Sequence, residues 1–163
     1  MKIISDSPYF SIQKSRNGKG VFANKPFRKN AVLFPILGKV IHHSEISRKR
    51  GVFQNNAFRF SELYYLSPTG HLGDYLNHSC QPNAKIIKKN RKLYCVSIVP
   101  IKNKEEITFD YSTIIASDDI WRMSCRCGKK NCRKLIQSYD RLSKETFSEY
   151  KTLNLIPKFI LRI

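Results

Sequence analysis

Residues 73–83 read Gly-Asp-Tyr-Leu-Asn-His-Ser-Cys-Gln-Pro-Asn, a polar stretch dense in turn formers. Alone it describes an ordinary loop, in which His78 is more often a solvated or structural residue than a chemical one. Its neighbours change that reading. Downstream stands Glu105-Glu106-Ile107-Thr108-Phe109-Asp110-Tyr111, where alternation puts Ile107, Phe109 and Tyr111 on one face of a strand and Thr108 and Asp110 on the other. Next comes Cys125-Arg126-Cys127-Gly128-Lys129-Lys130-Asn131-Cys132. Free cysteine prefers apolar burial, so three thiols in a lysine-rich turn point to a metal. Zinc takes soft thiolates, four of them in a structural site. The fourth ligand must lie elsewhere. Cys80, in its polar turn, is a better candidate than Cys95, whose alternating strand suits a buried thiol.

The rest of the chain bounds these motifs. At 163 residues with 41% hydrophobic content, ten Phe and eight Tyr, it suits one folded domain rather than a disordered tail. No apolar run approaches a membrane span, and the start, Met1-Lys2-Ile3-Ile4-Ser5-Asp6, lacks the apolar core of a signal peptide. A soluble protein of a reducing compartment, cytoplasmic or nucleoid/nuclear, is the expectation, with the five cysteines as ligands or buried thiols rather than disulfides.

Short apolar runs broken by Gly, Pro and Asn predict a mainly β chain with short helices. Tyr9 to Lys14 reads as a strand before a turn at Asn17-Gly18-Lys19-Gly20. Ala31 to Ile41 is apolar and β-branched apart from Pro35, which suggests a break or an edge between two strands. A short helix is expected over His43 to Arg50, and a hairpin over Lys85 to Val99, turning at Lys89-Asn90-Arg91. Ser143 is placed to cap a helix that runs through Tyr150 to Leu153 and stops at Asn154 and Pro157.

Asn-His-Ser-Cys-x-Pro-Asn, then Glu-Glu-Ile-Thr-Phe-Asp-Tyr, then Cys-x-Cys-x4-Cys, in this order, resembles the SET-domain lysine methyltransferases with a post-SET zinc segment. Gly18-Lys19-Gly20-Val21-Phe22-Ala23 looks like the family's first cofactor motif, and Trp121-Arg122-Met123-Ser124 is similar to small bacterial members. The resemblance runs from about Phe10 to the end. It implies an α+β, β-clip-like fold with a pseudoknot, a SET domain over 8–113, a post-SET segment over 121–137 and a C-terminal helical extension over 138–163. It implies S-adenosyl-L-methionine as cofactor, with Gly18 and Lys19 near its methionine part, Asn77 on its amino-acid end, main-chain groups of His78 on its adenine edge, and Tyr111 as the catalytic tyrosine. It implies Zn2+ on Cys80, Cys125, Cys127 and Cys132. The implied substrate is an accessible lysine on a basic, histone-like protein.

Two departures stand out. Many members have Tyr-x-Gly-Glu where this chain has Ile36-Leu37-Gly38-Lys39, so a second active-site tyrosine is missing. Tyr64, Tyr65 and Tyr75 are candidate stand-ins. Many also have Arg where Asp74 stands, and the opposite changes at Lys39 and Asp74 are expected to compensate each other. A competing reading is a SET-like binding module with weak catalysis that holds nucleic acid or basic proteins. The net charge of +18 makes nucleic acid a candidate partner under either reading. Against that charge, Glu105, Glu106, Asp110, Asp118 and Asp119 form an acidic island without an intervening Lys or Arg. Because they flank Tyr111, some are expected to line the substrate groove; the alternative is that they neutralise nearby cations.

Overall fold

The computed structural model describes residues 7–48 and 56–163. Twelve short strands fall into four small sheets among these residues, with two short α-helices. The mainly β reading, with few short helices, holds.

β1 (Phe10–Ser15) and β2 (Gly18–Ala23) form an antiparallel hairpin with Ser15 opposite Gly18. Gly18 turns this corner at φ +100°, a conformation that a side chain disfavours. β3 (Val32–Ile36) is followed by β4 (Lys39–His42), so the break falls at Leu37-Gly38, and of the two readings of Pro35 the structure bears out the edge. Pro35 stays inside the strand because β3 is the edge of its sheet, where a missing N–H costs nothing. α1 (His43–Arg48) matches the short helix expected there; residues 49 and 50 lie outside the described part. β5 (Phe58–Arg59) and β6 (Tyr64–Ser67) complete a sheet with β4.

β8 (Ala84–Lys89) and β9 (Lys92–Ser97) form the predicted hairpin, turning through Asn90 and Arg91 at φ +48° and +57°. Both central residues at positive φ match the turn whose twist suits two strands. β11 (Met123–Ser124) pairs with β12 (Leu135–Ile136) around the cysteine-rich loop. At the end, α2 (Lys144–Thr152) starts where its cap predicts, with Ser143 Oγ accepting from Thr146 N–H at 3.2 Å. None of the described helices is long and apolar enough to cross a membrane.

The decisive topology lies between β7 (Asn77–His78) and β10 (Glu106–Phe109), which pair in parallel, Asn77 against Thr108 and His78 against Phe109. The loop beyond β7 stays on the same strand. Ser79 N–H donates to Phe109 O at 3.0 Å, and Asn83 N–H to Thr108 O at 3.2 Å. Asn83 Oδ1 in turn accepts from Thr108 N–H at 2.9 Å. β10 also pairs with β2 on its other side, so three distant segments meet on one four-residue strand. This is the pseudoknotted arrangement the resemblance implied. Periodicity could not have predicted it, because threading of this kind is rare.

One apolar core binds the first three sheets, with Val21, Leu93, Cys95, Ile107 and Phe109 at or below 1% exposure. A second cluster seats the C-terminal segment through Tyr150, Leu155, Ile156 and Ile160 against Ala116. A third joins Cys80, Cys125 and Ile136 beside Trp121.

Candidate active site and metal centre

Ile107 and Phe109 share the buried face of β10 as predicted, but the strand stops at Phe109. Asp110 then caps a 3-10 turn, Tyr111–Thr113, through Ser112 N–H, so Tyr111 stands beyond the strand rather than in it. Its ring remains 4.9 Å from that of Phe109 and 6.3 Å from that of Trp121. Its hydroxyl donates to Leu76 O at 2.6 Å. Burial, with the Glu106 charge adding to it, pushes the phenol well above the ordinary range, so it stays protonated at neutral pH.

Asn77 Nδ2 donates to Lys19 O at 3.1 Å and to Glu106 Oε1 at 2.7 Å, tying β7 to the β1–β2 hairpin and to β10. Glu106 also accepts from Ser15 Oγ at 2.7 Å. Protein atoms crowd Gly20 and not Gly18. A Cβ there would lie 2.2 Å from Glu106 Oε1 and 2.9 Å from Asn77 Nδ2, whereas nothing lies within 4 Å of one at Gly18. Gly18 is needed for its φ and Gly20 for its space. Glu106 is thus a site residue that sequence reading had grouped with the acidic island.

His78 is buried, and burial pushes its imidazole down to about 4 although Asp110 pulls the other way. Its Nδ1 accepts from Tyr111 N–H at 3.2 Å. Nε2 therefore carries the proton of the neutral ring and donates to Cys80 Sγ at 3.2 Å.

Four donor atoms, on His78, Cys80, Cys125 and Cys127, lie within 4.8 Å of one another. Cys132, the expected fourth thiolate, is not among these four; it packs beside them and its thiol donates to Cys125 O at 3.7 Å. Zinc–thiolate bonds of about 2.3 Å make a tetrahedral edge of about 3.8 Å. The Cys80–Cys125 Sγ separation is 3.7 Å. For Cys127 burial works against ionisation, but backbone hydrogen bonds from Cys80 and Lys129 outweigh it and bring the thiol down to about 7. Donor chemistry and spacing both fit one zinc ion. Cys95, fully buried in β9, lies outside the cluster, as expected.

Behind this centre, Asp110 is 1% exposed and heavily bonded. It accepts from Arg133 at 2.6 and 2.8 Å and from Tyr150 Oη at 2.7 Å. Arg133 N–H also donates to Cys80 Sγ at 3.4 Å. The residue before Tyr111, the cysteine-rich loop and α2 are thereby joined at one carboxylate.

Two cavities meet at Tyr111. One, of about 570 Å³, is lined by Asn17, Asn77, His78, Ser124, Arg126 and Cys127 among others. The other, of about 520 Å³, lies toward β5 and β6, and its wall holds four carboxylates, Glu62, Asp74, Asp118 and Asp119, against one guanidinium, Arg59. Asn56 and Tyr111 line both.

The acidic island is therefore divided. Glu105 and Glu106 serve β10 and Asn83, Asp110 is internal, and only Asp118 and Asp119 reach the second cavity. There they also neutralise a cation. Arg59, 3% exposed, pairs with Asp118 at 2.9 Å and Asp119 at 3.0 Å. It also donates to Tyr65 Oη at 2.7 Å, while Tyr65 donates to Asp119. Arg59→Lys keeps the charge but loses the fork that also reaches Ser61 O and Glu62 O. We expect at least about 3 kcal/mol lower stability in urea unfolding, since lysine has three donors for the six bonds of Arg59 and at least two charge-assisted hydrogen bonds are lost.

Of the candidate stand-ins for the missing tyrosine, Tyr65 lines the second cavity. Ile36 is in the core, its Cγ2 3.1 Å from where a Cβ on Gly73 would lie. The expected Asp74–Lys39 compensation is not seen. Asp74 Oδ2 accepts from the N–H groups of Thr69 (2.8 Å) and Gly70, and no ion pair among the described residues joins it to Lys39.

Comparison with known proteins adds a separate line. The chain is 30% identical over 128 residues to human histone-lysine N-methyltransferase 2D, covering 72% of this chain and 2% of that protein. It is 32% identical over 131 residues to the Drosophila melanogaster histone-lysine N-methyltransferase trr, covering 72% and 5%. Against the probable histone-lysine N-methyltransferase set-23 of Caenorhabditis briggsae it is 29% identical over 139 residues, covering 75% and 57%. The chain thus spans only a small part of the first two relatives and little over half of the third. The model of the SET domain matches residues 18–112, from the β1–β2 corner through β10 to the turn that carries Tyr111. With more than half of its length in that match, this chain belongs to the SET domain family.

Proposed function

We propose that the chain is a protein-lysine N-methyltransferase that uses S-adenosyl-L-methionine and acts on lysines of basic, histone-like proteins. The observation that carries this reading is that two cavities share one half-buried tyrosine, Tyr111, whose hydroxyl stays protonated. The cofactor supplies an electrophilic methyl group on a cationic sulfur. In our reading it occupies the first cavity, with Asn77 and the main chain of His78 holding it and Gly18 and Lys19 shaping the nearby hairpin. The lysine enters from the second cavity. Ordinary lysine has a pKa near ~10.4 and is protonated at neutral pH. Where the cavity wall is aromatic, at Phe109, Tyr111 and Trp121, desolvation beside a cationic sulfonium favours the neutral amine, so no strong base is required. Tyr111, locked by Leu76 O, positions the amine and does not remove its proton.

We assign the zinc to Cys80, Cys125, Cys127 and Cys132. His78 is then an outer partner, because its Nε2–H donates to Cys80 and has no lone pair for a metal. The ion would hold the loop between β11 and β12 against the first cavity, which Met123, Ser124, Arg126 and Cys127 line.

The acidic wall of the second cavity explains how a chain of net charge +18 receives a cationic tail. Asp118 is the clean probe, since its side chain is 53% exposed while that of Asp119 is 15% exposed and holds Tyr65. For a lysine- and arginine-rich peptide, Asp118→Asn should raise KM about threefold at low salt with kcat nearly unchanged, because lost groove charge weakens encounter and ground-state binding. The effect should fade at physiological salt, where exposed charges are screened within about 8 Å. Steady-state kinetics at two salt concentrations tests this; an unchanged KM at low salt contradicts the assigned groove.

A further inference from the structure

The sheet β3–β9–β8 packs on the core through one face. Residues directly opposite one another in an antiparallel pair share a face, so the register sorts its side chains. Phe34, Cys95 and Ile86 form one row on the core side, and Ile36 and Leu93 belong to another. The alternate rows face away. One holds Pro35, Tyr94 and Ile87; those on either side of it hold Lys92 with Lys89, and Val32 and Val96 with Lys85. Val96 is buried, and Lys85 donates to Leu153 O at 3.4 Å and Asn154 O at 3.1 Å, so the chain after α2 closes that end. The rest is open. Pro35 is exposed, Tyr94 and Ile87 are half-buried, and Val32 is 60% exposed. An antiparallel sheet with one face in water ordinarily carries polar residues there; this one carries an aromatic and apolar row.

Charge on this face has one sign. β3, β8 and β9 hold no Asp or Glu, and the sequence has none from 75 to 104. Lys89 and Lys92 stand directly opposite each other, a like-charge pair that weakens a hairpin. Arg91 lies between them in the turn, exposed as both lysines are. No ion pair among the described residues reaches any of the three. Cations at one end of a sheet face with an aromatic row beside them suit a single-stranded nucleic acid, whose phosphates pair with the cations while its unstacked bases offer flat faces to the aromatic ring. A duplex hides those faces in its own stack, and a lipid headgroup has none. We infer that the outer face of the β3–β9–β8 sheet docks single-stranded nucleic acid, with a base on Tyr94 beside Ile87 and Pro35 and the flanking phosphates on Lys89, Arg91 and Lys92. None of these residues lines either cavity, so the inference stands apart from the proposed methyl transfer.

The test is fluorescence anisotropy of the full zinc-loaded chain with end-labelled strands of about 12 nucleotides, the scale of one stacking platform. The probes are a mixed-sequence DNA strand, its RNA counterpart and an abasic DNA strand of the same length and charge. The base-bearing DNA should bind about tenfold more tightly than the abasic strand, and Tyr94→Leu, which keeps apolar bulk in the row, should remove that difference. Changing Lys89, Arg91 and Lys92 together to Gln should weaken binding of every strand by at least about tenfold and lower the slope of log affinity against log salt by about 2. The same charge removed at Lys102, Lys104 and Lys144, exposed lysines on other elements, should weaken it by less than about threefold. A preference for ribose or for deoxyribose names RNA or DNA as the source, and either supports the inference. Equal binding of abasic and base-bearing strands overturns it, and that comparison decides alone if the variants do not fold. Duplex DNA or phosphatidylserine vesicles that displace the labelled strand as well as unlabelled strand does would overturn it too. So would a control triple variant that binds as weakly as the hairpin one.

Discussion

Changing any of Cys80, Cys125, Cys127 or Cys132 to Ser should release the zinc and open the first cavity, with cofactor affinity falling beyond detection in calorimetry. The size of the effect follows from how little else holds the loop. Between β11 and β12, two strands of two residues each, the chain has few apolar anchors apart from Ile136 and the cysteines themselves. A structural zinc supplies about 10–16 kcal/mol of apparent binding energy in small zinc modules. Here it would act on a segment that forms one wall of the first cavity. Chelation should have the same effect. Cys95→Ser should keep the metal, since Cys95 sits fully buried in β9 away from the cluster. His78→Gln is the sharper control. It disturbs Tyr111 and the Cys80 thiolate but removes none of the four proposed ligands, so one zinc per chain should remain in metal analysis. Loss of zinc on changing His78, with retention on changing Cys132, would exchange those two assignments.

Tyr111→Phe should lower kcat by about ten- to a hundredfold, the scale of losing one positioning contact in methyl transfer. Cofactor binding should remain close to that of the unchanged protein. The ring still packs on Phe109 and Trp121, so the fold is kept. The hydroxyl bonds Leu76 O at 2.6 Å, and losing that donor leaves a carbonyl without its partner. That costs about 1–3 kcal/mol of stability, well short of unfolding most domains. The phenol is held above its ordinary pKa by burial, so the loss should be equally large across neutral pH. A loss that appeared only at high pH would mean that the phenolate, and not the hydroxyl, does the work.

Much of this site was legible in the chain. The cysteine spacing and the Asn-His-Ser-Cys motif brought out Cys80, Cys125 and Cys127, because such motifs follow local ligand geometry, whereas β7 lay inside what read as a polar turn. Cap chemistry located α2, and the turn residues located the β8–β9 hairpin, for the same local reason. What could not be read was the pairing of distant segments. Arg59 meets Asp118 and Asp119 some 60 residues away, and no periodicity announces such a meeting. The acidic island looked like one feature in sequence. A strand end, a cap and a turn send its members to three different places. Tyr111 was read as the next inward position of a strand, but Asp110 ends that strand by capping the turn that follows. The crowding at Gly20 could not be read either, since only the fold shows that Glu106 and Asn77 converge there.

The reading of the two cavities as cofactor site and lysine site depends on their sharing Tyr111. Its most direct test is incubation of the zinc-loaded chain with methyl-labelled S-adenosylmethionine and a panel of histones and other basic proteins, followed by amino-acid analysis of the labelled product. The label should be recovered as N-methylated lysine and should fall at least about tenfold with Tyr111→Phe. Cofactor binding by calorimetry without label in any lysine of the panel, from protein that retains its zinc, would contradict the account.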